Sequence, residues 1–274
     1  MHIIDFRVQI PKTRRSVERV DLMLRYSDVF DLEQVSYREQ ELLRSLREAG
    51  IAMAVIQAEW DSGDYRALND RVAEPVRRHP HFVGFGAVDL SDGYAAAQEV
   101  RRCVEELGLV GINVQPFASG IHADSAACYP VYTRCRDYDI PIAVHTGINY
   151  SSAKSLEFGR PIHLDRVACD FPGIEIVMNH GGWPWVPEAV AIARKHVGIY
   201  LEIGGVSPKY IGRERTGWEV FLQLANTLLR DQILFATDSM LPFARAVEEA
   251  KELPMKPETI GKLMGANARR LLGR

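Results

Sequence analysis

The sequence predicts an α/β fold, specifically a single-domain (β/α)8 barrel of the TIM type. Short apolar segments alternate eight times with amphipathic segments of helical length, and the eight units fit within the 274 residues of the chain. No Gly/Ser-rich or Pro-rich linker divides the chain. An open doubly wound sheet is the competing architecture, but no G-x-G-x-x-G motif follows the first strand segment. We therefore expect one barrel domain over residues 1–274.

The eight strand segments are rich in Ile, Val, Phe and Ala, and most of them are apolar on both faces. This pattern is typical of parallel strands that are covered on both sides. In the first segment, simple alternation would place Asp5, Arg7 and Gln9 on one face and the intervening apolar residues on the other. The segments span residues 2–8, 51–57, 82–88, 109–115, 140–145, 174–180, 198–204 and 232–238.

The segments between the strands carry helix signals, such as a glycine stop at Gly50 and at Gly108. The connection after the first strand is longer than usual, and we expect an insertion-like loop at about residues 11–35. Long βα loops of a barrel cover the active site in many enzymes, and a solvated insertion is the alternative.

Composition excludes several classes of function. The net charge is −3 and there is no long basic run, so neither nucleic acid nor an anionic membrane surface is an expected partner. There is no signal-peptide pattern and no apolar run of about 18 residues, so we expect a cytoplasmic protein without a membrane span. No two cysteines have C-x-x-C spacing, so we expect reduced, buried thiols at Cys103, Cys128, Cys135 and Cys169.

Polar residues recur where the predicted strands end. In a (β/α)8 barrel the carboxyl ends of all strands meet at one mouth, where βα loops build the active site. A small-molecule substrate is the partner that such a mouth predicts. The polar residues at these ends are Arg7, Gln9, Gln57, Glu59, Asp89, Asn113, Gln115, His145, His180, Glu202 and Asp238.

Three of these side chains together suggest a metal site. A single histidine at a strand end is usually structural, and an aspartate before a serine is usually a helix cap. However, His145, His180 and Asp238 end strands 5, 6 and 8, which would place two imidazoles and a carboxylate around one cavity. Such a set suits one divalent ion, Zn²⁺ above others, and would leave a position for a water nucleophile.

The chain resembles the amidohydrolase superfamily, in particular its amidohydrolase-2 branch, which contains hydrolases and aminocarboxymuconate-semialdehyde and γ-resorcylate decarboxylases. The resemblance rests on "IIDF", "GLVGINVQP", "YDIPIAVHTG", "DFPGIEIVMNHGGWPW", "ILFATDS" and "MGANARRLLG", in that order. It implies the barrel fold, a homodimer, and hydrolysis or non-oxidative decarboxylation of a small carboxylated or lactone-like substrate. His145, His180 and Asp238 match the site residues of the family on strands 5, 6 and 8.

The first strand departs from the pattern of the family. Most members have His-x-His there to hold the metal, and alignment of "IIDF" puts Arg7 and Gln9 at those positions. Arginine is protonated and is not a metal ligand, and glutamine is at best a weak one. Three outcomes stay open: a metal held by His145, His180 and Asp238, a metal-free enzyme or a non-catalytic ligand-binding barrel.

In the metal-free alternative, Arg7 polarises a carboxylated substrate and Asp238 or a histidine such as His180 acts as the general base. A pyrone-dicarboxylate lactonase of the family is a precedent for metal-free hydrolysis. In a structural alternative, Arg7 only neutralises Asp238 or Glu202.

Five further residues are candidate substrate contacts, although each has a structural alternative in filling the mouth or packing on the rim. They are Gln9, Glu59, Asn113, Gln115 and Trp183. By contrast, His79 and His196 precede strands and would lie at the opposite end of the barrel, where we expect a structural role.

Overall fold

The structure, a computed structural model, describes residues 2–10, 38–59, 64–149 and 151–273. Eight parallel strands form one sheet in sequential order, which confirms the predicted (β/α)8 barrel. The strands are β1 (Ile3–Gln9), β2 (Ile51–Gln57), β3 (Phe82–Ala87), β4 (Gly111–Val114), β5 (Ile142–Val144), β6 (Ile176–Met178), β7 (Ile199–Glu202) and β8 (Ile233–Leu234). No helix in these ranges is both long and apolar enough to cross a membrane.

Helices follow the strands as predicted. The expected loop at 11–35 lies outside the described residues. The helices of the described part are α1 (Glu39–Glu48), α2 (Tyr65–Arg78), α3 (Gly93–Glu105), α4 (Pro116–Ser119), α5 (Tyr129–Asp137), α6 (Ile162–Asp170), α7 (Val186–Lys195), α8 (Pro208–Ile211), α9 (Glu219–Ala225), α10 (Phe243–Lys251), α11 (Pro257–Gly261) and α12 (Asn267–Leu271).

Several strands are shorter than the apolar segments that predict them. The segment 174–180 yields only Ile176–Met178, and the segment 232–238 yields only Ile233–Leu234. Local backbone geometry ends each segment, because His180 has φ 59° and Asp238 has φ 58°, values that a strand does not accommodate. The candidate site residues therefore lie on sharp turns just beyond the strands.

An irregularity in β1 corrects the simple alternation expected for that strand. Asp5 pairs with Ala54 and Val8 pairs with Ile56, so β1 uses three residue steps where β2 uses two. As a result Phe6 belongs to the cluster inside the barrel, whereas Val8 belongs to the cluster under the helices. Such an extra residue re-aims the side chains that follow it, and the expected common face of Phe6 and Val8 is wrong.

The interior of the barrel below the mouth is apolar. Phe6 and Phe85 meet edge to face with ring centroids 5.5 Å apart. Gly111 makes room for them, since a Cβ at this position would lie 2.4 Å from the Phe85 ring. The rest of this inner cluster includes Ile4, Val55, Val83, Ala143, Val177, Tyr200 and Leu234. The polar mouth therefore stands on a filled apolar floor.

Asp5 links β1 to the residues that follow β8, and we call this junction the seam. Its carboxyl group accepts hydrogen bonds from the backbone N–H of Arg7 (3.1 Å) and of Thr237 (3.0 Å) and from the Thr237 hydroxyl (2.6 Å). Two backbone bonds complete the seam, from Phe6 N to Phe235 O and from Asp238 N to Arg7 O, each 2.9 Å long.

We expect Asp5→Ala to lower the free energy of unfolding by about 3 kcal/mol or more, because two buried backbone N–H groups lose their acceptor. Asp5→Asn retains an acceptor oxygen and is the matched control, with an expected loss of about 1 kcal/mol. Urea denaturation of both variants measures the difference. Equal losses in the two variants would show that this carboxyl group does not hold the seam.

Candidate active site

The side chain of Arg7 occupies the centre of the barrel just below the mouth. Its Nε donates to Asp238 Oδ1 (2.8 Å), Nη1 donates to Gln57 Oε1 (2.9 Å) and Nη2 donates to Glu59 Oε1 (2.8 Å). Gln57 is itself fixed by a bond from its Nε2 to Phe6 O (2.7 Å). Each nitrogen of the guanidinium group thus has a protein acceptor, two of them carboxylates, which is the arrangement a buried arginine requires.

Asp238 lies where the chain leaves β8, and two side chains of β1 orient it. Its Oδ1 accepts from Arg7 Nε and, at 3.4 Å, from Gln9 Nε2. The next residue joins the same seam, since Ser239 Oγ accepts from the backbone N–H of Gln9 (3.1 Å). Gly205 passes close by, and a Cβ at this position would lie 2.8 Å from His180 Nδ1 and 3.3 Å from Asp238 Oδ2. Only glycine fits between these two groups.

His180 presents a free ring nitrogen. Its Nδ1 lies 2.8 Å from the carbonyl oxygen of Gly204, which can only accept, so Nδ1 carries the proton and Nε2 keeps its lone pair. Burial, reinforced by the positive charge of Arg7, lowers the pKa of His180 to about 4. His180 is therefore neutral at physiological pH and would be a strong acid once protonated.

His145 lies beside His180, with the ring centroids 4.8 Å apart. Its Nε2 lies 3.2 Å from the carbonyl oxygen of Ile148, which leaves Nδ1 as an acceptor. Phe117 covers another side of the ring at a centroid distance of 4.6 Å. Burial, followed by His180 and then Arg7, holds the pKa of His145 well below its usual range.

Solvent exposure divides the polar residues into two layers. Gln9 (8%), His145 (7%), His180 (9%) and Asp238 (8%) retain some contact with solvent, whereas Arg7 retains 1%. A substrate that enters the mouth therefore meets the upper four residues. Arg7 is held beneath them and acts through Asp238, so the direct contact of Arg7 with a substrate that the sequence suggests is not what this geometry favours.

Two further carboxyl groups lie buried near Arg7. Burial raises the pKa of Asp5 to about 7, and burial, with the nearby Asp238 charge adding to it, raises the pKa of Glu202 to about 8. Glu202 accepts through Oε1 from the backbone N–H of Gly204, while its buried Oε2 has no hydrogen-bond partner among the described residues. Glu202 therefore carries a proton at neutral pH and Asp5 is partly protonated, which limits the negative charge around one guanidinium.

The remaining candidate contacts are distributed differently. Glu59 is bound to Arg7, as described above. Asn113 is fully buried, with Nδ2 donating to Ala58 O (2.7 Å) and Oδ1 accepting from Asn179 Nδ2 (3.3 Å), so its amide is structural. Gln115 lies directly before α4. The backbone carbonyl oxygen of Trp183 accepts a hydrogen bond from the backbone N–H of Ile148 (2.9 Å). Substrate contacts of Gln115 and Trp183 stay predictions.

Sequence reasoning placed Gln57 among the polar residues at the strand ends but gave it no role, and it did not single out Asp5 or Phe117 as parts of the site. A signal for Gln57 was present, because it ends β2 as Arg7 approaches the end of β1. Asp5 shares the D-F-R segment with Arg7, but its partner Thr237 lies more than two hundred residues away along the chain, and no local pattern indicates it.

The residues at the mouth fit a metal ion in type but not in arrangement. Two imidazole lone pairs and a carboxylate are suitable donors. However, in the described ranges the only three His, Cys, Asp or Glu side chains whose ligand atoms all lie within 4.8 Å of one another are Asp165, Cys169 and His196. His145, His180 and Asp238 are not gathered to this extent, and Arg7 already provides the positive partner of Asp238.

An eight-stranded parallel barrel with histidines and an aspartate on the turns after β5, β6 and β8 defines a (β/α)8-barrel protein with an enzyme-like mouth. The amidohydrolase family model (Amidohydro_2) matches residues 31–274, and the chain belongs to this family.

The relatives that the chain resembles include decarboxylases. A γ-resorcylate decarboxylase from Rhodococcus jostii is 27% identical over 217 residues, which cover 63% of this chain and 65% of that relative. A solved uncharacterised barrel protein from Bordetella bronchiseptica is 28% identical, with a TM-score of 0.83 over 100% of both chains. A dihydroxybenzoic acid decarboxylase from a Polaromonas species, solved with bound manganese and 2-nitroresorcinol, shares the fold (TM-score 0.74, 20% identity, 99% and 97% covered).

We expect the free energy of unfolding to fall as the pH rises from about 7.5 through about 8, because Glu202 loses its proton more readily in the unfolded chain than in the folded one. The two mouth histidines are neutral in the folded state throughout this window, and above pH about 7.5 they are mostly neutral in the unfolded chain as well, so they contribute little to the slope. Glu202→Gln removes a titrating group and should flatten the slope above pH about 7. Urea denaturation of the wild type and of Glu202→Gln at several pH values in this window measures the slope of the free energy of unfolding against pH. An equal slope in the two proteins would contradict the buried, protonated state of Glu202.

Proposed function

We propose that this chain is a metal-independent decarboxylase that acts on a small hydroxylated aromatic or conjugated carboxylic acid. The observation that carries the proposal is the two-layered mouth, in which Asp238 and His180 reach solvent while Arg7 is held beneath them. Arg7 pairs with Asp238 there and provides the positive charge that a metal ion would otherwise supply.

The described residues around Asp238 offer several hydrogen-bond acceptors, and these determine how an anionic substrate would bind. The free nitrogens of His180 and His145 and the carboxylate of Asp238 all accept hydrogen bonds. A substrate carboxylate placed beside them would raise the pKa of His180, since a nearby negative charge favours the imidazolium. Substrate and one proton would thus be taken up together.

The reaction then needs one proton transfer and one bond cleavage. His180 gives its proton to the carbon that bears the carboxylate, the C–C bond breaks, and CO2 leaves while neutral His180 is regenerated. Asp238 accepts a hydrogen bond from a neighbouring substrate hydroxyl, which increases the electron density at that carbon. Atoms and charge balance, because the proton taken up with the substrate appears in the C–H bond of the product.

The family and the name of the Rhodococcus relative support decarboxylation over other reactions. Because the match covers less than two thirds of that relative, its substrate is not carried over. Hydrolysis of a lactone-like substrate is the second candidate. It is favoured by the fixed Asp238 carboxylate beside His180, since a carboxylate placed in this way could take a proton from an attacking water.

We expect Asp238→Asn to lower kcat/KM by about 100-fold or more, because a neutral amide accepts the hydrogen bond of the substrate hydroxyl more weakly than a carboxylate does and leaves Arg7 without one of its two carboxylate partners. The assay follows CO2 release from a panel of hydroxybenzoic and conjugated dicarboxylic acids, and mass spectrometry checks for one deuterium in product formed in D2O. Asp89→Asn, which changes an aspartate at the end of β3 away from Arg7, is the matched control.

Unchanged turnover in Asp238→Asn would show that the catalytic assignment is wrong. Turnover of a lactone panel without CO2 release would replace decarboxylation by hydrolysis. Tight binding of a panel compound with no turnover by the wild type would identify a ligand-binding barrel.

Restoring two histidines on β1 should create metal affinity that the wild type lacks. In Arg7→His/Gln9→His, two imidazoles would join His145, His180 and Asp238, and the buried guanidinium charge would be gone. We expect about one Mn²⁺ or Zn²⁺ per chain by elemental analysis, against far less for the wild type and for Gln9→His, which keeps Arg7. One tightly bound metal per wild-type chain would refute the metal-independent proposal.

A further inference from the structure

A second cluster of metal-ligating residues lies far from the mouth, where α6 meets the end of α7. Lys195 Nζ donates to both Asp165 oxygens (2.7 and 2.9 Å), and His196 Nε2 lies 2.8 Å from Asp165 Oδ1. These bonds, with Lys195 the larger cause, hold the pKa of Asp165 below its usual range. His196 precedes β7, and its carbonyl oxygen accepts from Ile199 N (3.1 Å). The cluster thus lies at the end of the barrel opposite to the mouth.

The same arrangement of a basic residue, a histidine and an acid occurs once more among the described residues. Arg78 and His79 end α2, and both bind Glu39 of α1, with His79 Nε2 lying 2.7 Å from Glu39 Oε1. The carbonyl oxygen of His79 accepts from Phe82 N (3.0 Å), as that of His196 does from Ile199 N. A structural role, joining a helix end to its neighbouring helix before the next strand, accounts for both arrangements.

One residue distinguishes the two clusters. Cys169 lies one helical turn after Asp165 on α6, and Leu43 occupies the corresponding position after Glu39 on α1. The Cys169 thiol lies 3.7 Å from Lys195 Nζ. Contrary to the expectation from sequence, Cys169 is exposed, whereas Cys103, Cys128 and Cys135 are buried. The structural role of the cluster requires no thiol at this position.

The ligand atoms of Asp165, Cys169 and His196 all lie within 4.8 Å of one another. We propose that these three residues form a peripheral binding site for a thiophilic divalent cation of the Zn²⁺ class. A thiolate, an imidazole and a carboxylate form a donor set that Zn²⁺ prefers, and water would complete the coordination.

Binding at this site has a defined proton balance. The thiol proton of Cys169 is released to solvent, His196 loses the Nε2 proton that faces Asp165 and carries its remaining proton on Nδ1, so that Nε2 can bind the metal, and the Lys195 ammonium leaves Asp165. Lys195 is half exposed, so it can withdraw into solvent and its ion pair is worth little. Lys195 therefore competes with the cation for Asp165.

Metal titration of the full chain tests the proposal. Zn²⁺ affinity is measured by competition with a chromophoric chelator, and Cd²⁺ is followed by its thiolate charge-transfer absorption. We expect Cys169→Ser to weaken Zn²⁺ binding by about tenfold or more and to abolish the Cd²⁺ band. Lys195→Met should tighten binding severalfold, because it removes the competing charge. This last result distinguishes a metal site from a purely structural cluster.

The group formed by Glu39, Arg78 and His79 provides the control. His79→Gln alters the histidine equivalent to His196 at a place where no thiol is present, and it should leave Zn²⁺ affinity unchanged. Asp238→Asn should also leave it unchanged, which separates this site from the mouth. Zn²⁺ affinity that is equal in wild type and Cys169→Ser, or a Cd²⁺ band that persists in Cys169→Ser, would overturn the proposal.

Discussion

The ion pairs of the buried Arg7 guanidinium determine the arrangement of the whole mouth. A guanidinium group removed from water is costly unless acceptors surround it, and β1, β2 and β8 are brought into register by the need to supply them. Gln57 and Glu59 provide two acceptors from one side, and Asp238 provides the third from the other. The position of Asp238 follows from this one charge, whereas His180 is fixed by the carbonyl oxygen of Gly204.

The same charge explains why neighbouring groups depart from their ordinary protonation states. It adds to burial in keeping the two mouth histidines neutral. It only partly offsets burial for Glu202, whose carboxyl group stays protonated to higher pH than usual. The mouth thus combines a fixed cation, neutral imidazoles and a protonated carboxyl group within a small volume. Such a combination is typical of sites that move protons.

Sequence reasoning was sufficient for the fold and for the position of the mouth, because both depend on local signals. Apolar segments at regular spacing predict the strands, and polar residues at their ends predict His145, His180 and Asp238 as neighbours. The orientation of Arg7 was not predictable in the same way, since it depends on an extra residue in β1 that disrupts the expected alternation. Likewise, the position of Cys169 beside His196 depends on how α6 packs on α7, which no local pattern encodes.

The strand β1 serves two purposes within seven residues. Asp5 holds the seam to the end of β8, and Arg7 and Gln9 orient Asp238, while the extra residue between Asp5 and Val8 sets the direction of the side chains. The barrel closure and the acid–base groups therefore share one backbone segment. Substitutions that tighten the seam will also move the reactive carboxylate, so stability and catalytic rate cannot evolve independently in this strand.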